Sequence, residues 1–145
     1  MTEREGIIQK IDSLKGREQE NAPWLLSLLD HEDNMVRFCA IRPLIYACSV
    51  PNLPEKLRAM LDNESDDDVL LLVISGLASH YRGSKDLQIL RRIQNAIERV
   101  GGASGTRDTF DDAKLEVMLG CDSKQLAKMS SAERQKQLAQ INVTG

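Results

Sequence analysis

The sequence predicts an all-α fold, a short right-handed α-solenoid of about three helix pairs with extra helices at both ends. Three observations lead there. The apolar residues are mainly Leu, Ile, Val and Ala, with only 3% aromatics, and alternating β-branched stretches are almost absent. Several segments place apolar residues at helical spacing. The chain also repeats itself: Leu29-Asp30 recurs as Leu61-Asp62 and Val36 recurs as Val69, offsets of 32 and 33 residues, a period typical of stacked helix pairs. At 145 residues, with 41% hydrophobic and 28% charged residues, the chain is expected to be one ordinary globular domain with a real core.

The first helix is expected over residues 4 to 15, where Ile7, Ile11 and Leu14 share a face beside Ile8. A polar loop, "GREQENAP", follows. Pro23 then suits the first turn of a second helix running to about Leu29, because a helix start has no use for the missing N–H. "DHEDN" breaks that helix, and Asp33 or Asn34 is placed to cap a third from Met35 to about Ser49. Pro43 inside it predicts a kink. "VPNLP" is a turn leading to a helix from Pro54, and an acidic corner, "DNESDDD", precedes an apolar helix led by Val69. Leu87, Leu90, Ile93, Ile97 and Val100 mark an amphipathic helix. "GGASGTRDTF" reads as a long loop before a helix opening at "DDAKLEVMLG". Two short helices close the chain, the last with a capping box of Ser130 and Glu133, and residues 121–145 are expected to cap the stack or to fray from it.

The stretch "APWLLSLLDHEDNMVRFCA" resembles a HEAT repeat, in particular the phycobilisome-lyase-like HEAT repeats of bacteria. Pro23, Leu25, Leu26, Leu28, Leu29, Asp30, Asp33, Val36, Arg37 and Ala40 carry the likeness. The second copy keeps Pro54, Leu57, Leu61, Asp62 and Val69 but has Leu70 in place of the arginine and Val73 in place of the alanine. The resemblance implies an armadillo-like stack in which second helices line a concave face that binds protein.

The corner "DHED" packs His31, Glu32 and two aspartates together, which raises the question of a site. A site has no reason to recur at the repeat interval, whereas a structural corner must, and carboxylates there favour the exposed N–H groups of the following helix. Asp62, Glu64 and Asp66 fit the first places of a calcium loop, but Asp67 replaces its glycine and Val73 its closing acid. His31 and His80 lack zinc-ligand spacing. Cys39 is the formal nucleophile beside a histidine, yet a thiol on an apolar helix is expected to be inert. "GGASGT" lacks the strand and the Gly-Lys-Ser/Thr ending of a phosphate loop. No catalytic residue, metal ligand or cofactor is therefore expected.

Function is expected from a surface. Val36, Ala40, Leu44 and Ala47, matched by Val69, Val73, Leu77 and His80, form the expected core side of the second helices. Opposite them stand Phe38, Arg42 and Tyr46, then Leu71, Ser75 and Arg82, the expected partner-binding residues, since Tyr, Phe and Arg are enriched at interfaces. The alternative for Phe38 and Tyr46 is packing against a neighbouring repeat or the N-terminal helix. The leading class is a protein-binding adaptor, assembly factor or chaperone; an immunity protein neutralising a toxin and a chromophore-lyase-like protein are the alternatives. A net charge of −3 argues against nucleic acid or anionic membrane as partner. The apolar run at 69 to 78 is too short to span a bilayer, the start does not read as a secretory signal, and three cysteines without a C-x-x-C pair fit a reducing cytoplasm. Cys39 and Cys48 are expected on opposite sides of one helix, where they cannot bridge.

Overall fold

The computed structural model describes residues 2–101 and 104–143, with the helical backbone alone for 104–107. The described residues form helices joined by short turns, with no strand among them, and none of these helices is long and apolar enough to cross a membrane. The chain divides into two compact units, Met1–Lys56 and Leu57–Gly145.

In the first unit, α1 (Glu3–Ser13) opens with a capping box in which Thr2 and Glu5 exchange hydrogen bonds. Its Ile11 and the following Leu14 are buried, and the helix packs on α3 (Asn34–Tyr46). Helix α2 (Ala22–Ser27) carries Pro23 in its first turn, as expected, but ends early: residues Leu28–Asp30 tighten into a 3₁₀ turn. Leu25, Leu28 and Leu29 meet Val36, Ala40, Ile41 and Leu44 in the core. Each such side chain contributes about 1.5 to 3 kcal/mol by leaving water. Helix α3 stops at Tyr46, three residues before the expected end, so Ala47 is an exposed cap and not a core residue. Gln19 exchanges two hydrogen bonds with the backbone of Ser49, tying the polar loop to the segment after α3.

Helix α4 (Leu53–Asn63) begins in the first unit and ends in the second. The second unit continues with α5 (Asp67–His80), α6 (Leu87–Val100), α7 (Ser104–Leu119), α8 (Ser123–Lys128) and α9 (Ser131–Ala139). Helix α7 packs against α5, α6 and α9, and Val69, Leu70, Val73, Ile74, Leu77, Ile93 and Leu115 are buried. His80, expected on the core side, is exposed at the last position of α5, with its ring edge-on to Tyr81. The expected loop "GGASGTRDTF" is mostly helix, since α7 starts at Ser104; its Gly102 and Ala103 lie outside the described residues. The C-terminal segment docks rather than dangling: Arg134 pairs with Asp112 at 2.6 Å, and Arg91 donates to the carbonyl of the buried Val143 at 2.9 Å. Ser130 caps α9 by accepting from the Glu133 N–H.

The loop between α5 and α6 is clipped to the end of α7. Gly83 donates to the Glu116 carbonyl and Lys85 to the Val117 carbonyl, both at 3.0 Å. Gly83 and Gly120 face each other, with a Cβ on either at ordinary contact distance, 3.6 to 3.7 Å, from the other's Cα, and both have the positive φ that favours glycine. Beside them the buried Glu116 accepts from Arg82 at 3.0 Å. Burial pushes the Glu116 carboxyl above its ordinary range, against the pull of Arg82.

The two acidic corners are closed by arginines of different origin. In the first, Arg37 of α3 reaches back to the carbonyls of His31 and Glu32 at 2.9 and 3.1 Å. In the second, where Leu70 replaces that arginine, Arg99 of α6 donates to the carbonyls of Leu61 and Glu64, both at 2.9 Å. Nearby, Arg92 bonds Asp62 and the Arg58 carbonyl. Corner carbonyls thus find a guanidinium in both cases.

Two outcomes are expected. Arg99→Ala should lower the stability of the second unit by about 1 to 3 kcal/mol, measured by urea unfolding, because two corner carbonyls lose a charged donor. Leu77→Ala should cost about 2 to 5 kcal/mol through the cavity it leaves; a loss under half that would place Leu77 outside the core.

Candidate functional site

The cluster in "DHED" is a helix start. Asp33 caps α3 by accepting from the N–H groups of Met35 and Val36 at 2.8 and 3.4 Å, and its other oxygen accepts from Arg4 Nε of α1 at 2.6 Å. The Arg4 hydrogen bond, ahead of the two backbone bonds, holds the Asp33 carboxyl below its usual range. His31 Nδ1 accepts from the Asp33 N–H at 3.0 Å, so the neutral ring carries its proton on Nε2, which faces Glu3 at 3.4 Å. Both ring nitrogens are thus occupied by the corner. Neither turns towards Cys39, whose thiol burial pushes above its ordinary pKa, with Asp12 adding to the rise. A protonated thiol without a base is a poor nucleophile.

The second corner disperses the carboxylates that the calcium-loop reading would need to converge. Asp62 pairs with Arg92, Glu64 turns to the N–H groups of Ser65 and Asp66, and Asp66 caps α5 at Val69. Asp66, Asp67 and Asp68 do bring carboxylate oxygens within 4.8 Å of one another, at the first turn of α5 where negative charge favours the helix dipole. The expectation that Cys39 and Cys48 share one helix fails for Cys48, which lies beyond the end of α3.

The partner-binding residues named from the sequence fall into two rows, the first wholly in the first unit and the second wholly in the second. On α3, Phe38 is half-buried and the Arg42 guanidinium sits 5.8 Å from its ring centroid. Tyr46, one turn further, is 68% exposed, the most exposed of the large apolar side chains among the described residues. On α5, Leu71 and Ser75 are half-buried one turn apart. Arg82 lies past the helix end and is already engaged, with Glu116 at 3.0 Å and Ser79 Oγ at 3.3 Å. Its charge is largely spent inside the protein.

The structure adds an open groove that the sequence did not disclose, with a volume of about 440 Å³. Ile11, Asp12, Lys15 and Glu18 line it from α1 and the turn after it, and Cys39, Arg42, Pro43 and Tyr46 line it from α3. Its floor is apolar and its rim charged. Asp12, Lys15 and Arg42 make no ion pair among the described residues, while Glu18 accepts from the Gly16 N–H. Apolar spacing within α1 marks its inner face, but nothing in the local sequence says which stretch of α3 it crosses.

No family model, curated protein or solved structure matches the chain.

Two measurements bear on the first corner. Because Asp33 titrates lower folded than unfolded, its stabilisation is present above its ordinary carboxyl pKa of 3.8 and is lost as pH falls through the depressed folded value. Acid unfolding of Asp33→Asn should therefore show a smaller loss of stability in that window than wild type. The double variant His31→Ala with Glu32→Ala should keep its helical circular dichroism and its partner binding; abolished binding with the fold intact would make the corner a site.

Proposed function

We propose that the protein is a non-catalytic protein-binding module, an adaptor, assembly factor or chaperone, made of HEAT-like helix pairs in a short right-handed solenoid and meeting its partner through second-helix surfaces. The observation that carries this reading is Tyr46, 68% exposed beside an apolar-floored groove with Arg42 on the same wall. An exposed aromatic and an arginine free of ion pairs are the side chains that most often anchor a protein interface.

Further support comes from each unit separately. In the second, the second helices α5 and α7 lie side by side while the first helices α4 and α6 are joined by the hydrogen bonds of Arg92 and Arg99, the layering expected of stacked pairs. In the first, α2 with its 3₁₀ turn packs on α3 across the corner capped by Asp33. A raised thiol pKa at Cys39 and a histidine consumed by its corner favour binding over covalent chemistry. The working residues are Phe38, Arg42 and Tyr46 in the first unit and Leu71 and Ser75 in the second; Arg82 of the second unit would contribute as a fixed group held by Glu116, and not as a free charge.

Affinity capture from the native cell with quantitative mass spectrometry, followed by affinity measurement with the purified partner, tests this reading. Tyr46→Ala and Arg42→Ala are each expected to cost about 2 kcal/mol or more, roughly thirtyfold in affinity, at unchanged thermal midpoint. Retained affinity in both, with binding abolished by Glu55→Lys on the exposed side of α4, would put the working face on the first helices.

A further inference from the structure

The α1–α3 groove has an unusual charge arrangement for a binding surface. Two acids, Asp12 and Glu18, and two bases, Lys15 and Arg42, line it, so its net charge is zero. A strongly acidic or strongly basic partner gains nothing from such a field. What fits is a surface equally mixed, with the signs in reverse order across an apolar centre.

The walls differ in sign. Arg42 is the charged residue of the α3 wall, whereas the α1 wall with its turn carries Asp12, Lys15 and Glu18 and is net acidic. Asp12 and Arg42 line one groove without pairing with each other. A two-fold axis running along the groove lays the α1 wall of one copy on the α3 wall of the other. That arrangement brings Asp12 opposite the second copy's Arg42, twice, with the exposed Tyr46 of each copy at the seam.

We propose that the occupant of the α1–α3 groove is a second copy of this chain, in an isologous dimer anchored by Tyr46 and by reciprocal Asp12–Arg42 pairs. The inference rests on the protein-binding reading above and names the partner at that surface. The Arg42 guanidinium suits such a pairing: it sits 5.8 Å from the Phe38 ring centroid and makes no ion pair among the described residues, and its fork of N–H donors matches a carboxylate. The dimer is of the weak, reversible kind, since one groove of this size buries less than a permanent interface does.

Sedimentation velocity of the full chain over a wide concentration range tests it. Wild type should shift from monomer to dimer with concentration. Asp12→Arg and Arg42→Asp should each weaken the dimer at least about tenfold by setting like charges against each other, and the combined Asp12→Arg/Arg42→Asp variant should restore it. Tyr46→Ala should weaken it without any charge change, which covers the case of a reversal that fails to fold. The inference is overturned by a wild type that stays monomeric throughout, by a dimer indifferent to both single reversals and to Tyr46→Ala, or by a folded double variant that does not recover. A monomeric wild type whose captured partner is still lost in Tyr46→Ala sinks the dimer and leaves the protein-binding reading standing; loss of neither self-association nor capture in Tyr46→Ala and Arg42→Ala sinks both.

Discussion

The fold depends on the closing of its acidic corners. A corner between two helices leaves carbonyls at the end of one and N–H groups at the start of the next, and both must find partners. Here a carboxylate serves the N–H groups, Asp33 in one unit and Asp66 in the other, and a guanidinium serves the carbonyls. Without these, each short turn would expose or bury several unmet polar groups, and the apolar helices α3 and α5 would have no fixed starting point.

The same chemistry accounts for the cluster at residues 30 to 33. Asp33 and His31 have local obligations. Asp33 is divided between the α3 cap and Arg4, and His31 between the Asp33 N–H and Glu3. For Asp33, whose carboxyl is held below its ordinary range, that engagement opposes the protonation that general acid work demands. The groove some turns away along α3 is the opposite case: Asp12, Lys15 and Arg42 have no ion-pair obligation among the described residues, its tyrosine is exposed, and its floor is apolar.

What the sequence disclosed was local. Asp33, Pro23 and Ser130 announce helix starts through rules that span a few residues, and Val36, Ala40 and Leu44 announce a buried face by spacing alone. Two kinds of feature escaped. The start of α7 was hidden by "GGASGT", whose glycines and serine read as loop, each helical glycine carrying a propensity penalty of about 1 kcal/mol, although the helix runs from Ser104. The Arg99 clasp joins groups 35 and 38 positions apart, and the groove pairs Ile11 with Pro43. Long-range meetings of this sort leave no mark in a single sequence. Arg82 shows the converse: its type and place suggested a free cation, and only the fold revealed Glu116 waiting beneath it.

The clip between the α5–α6 loop and α7 gives the second unit a reporter of its own integrity. Gly83 and Lys85 are exposed residues of a short loop, the setting in which amide protons ordinarily trade with solvent within moments, yet both amides are bonded to carbonyls of α7. Lys85 keeps φ at +59°, a conformation that costs a non-glycine residue energy and that survives only while its surroundings enforce it. Slow deuterium uptake at these two positions is therefore a property of the docking of α5 on α7 and not of the loop itself. A ligand, a partner or a distant substitution that loosens that docking will register there first, as two amide signals fading early while the helices on either side remain protected.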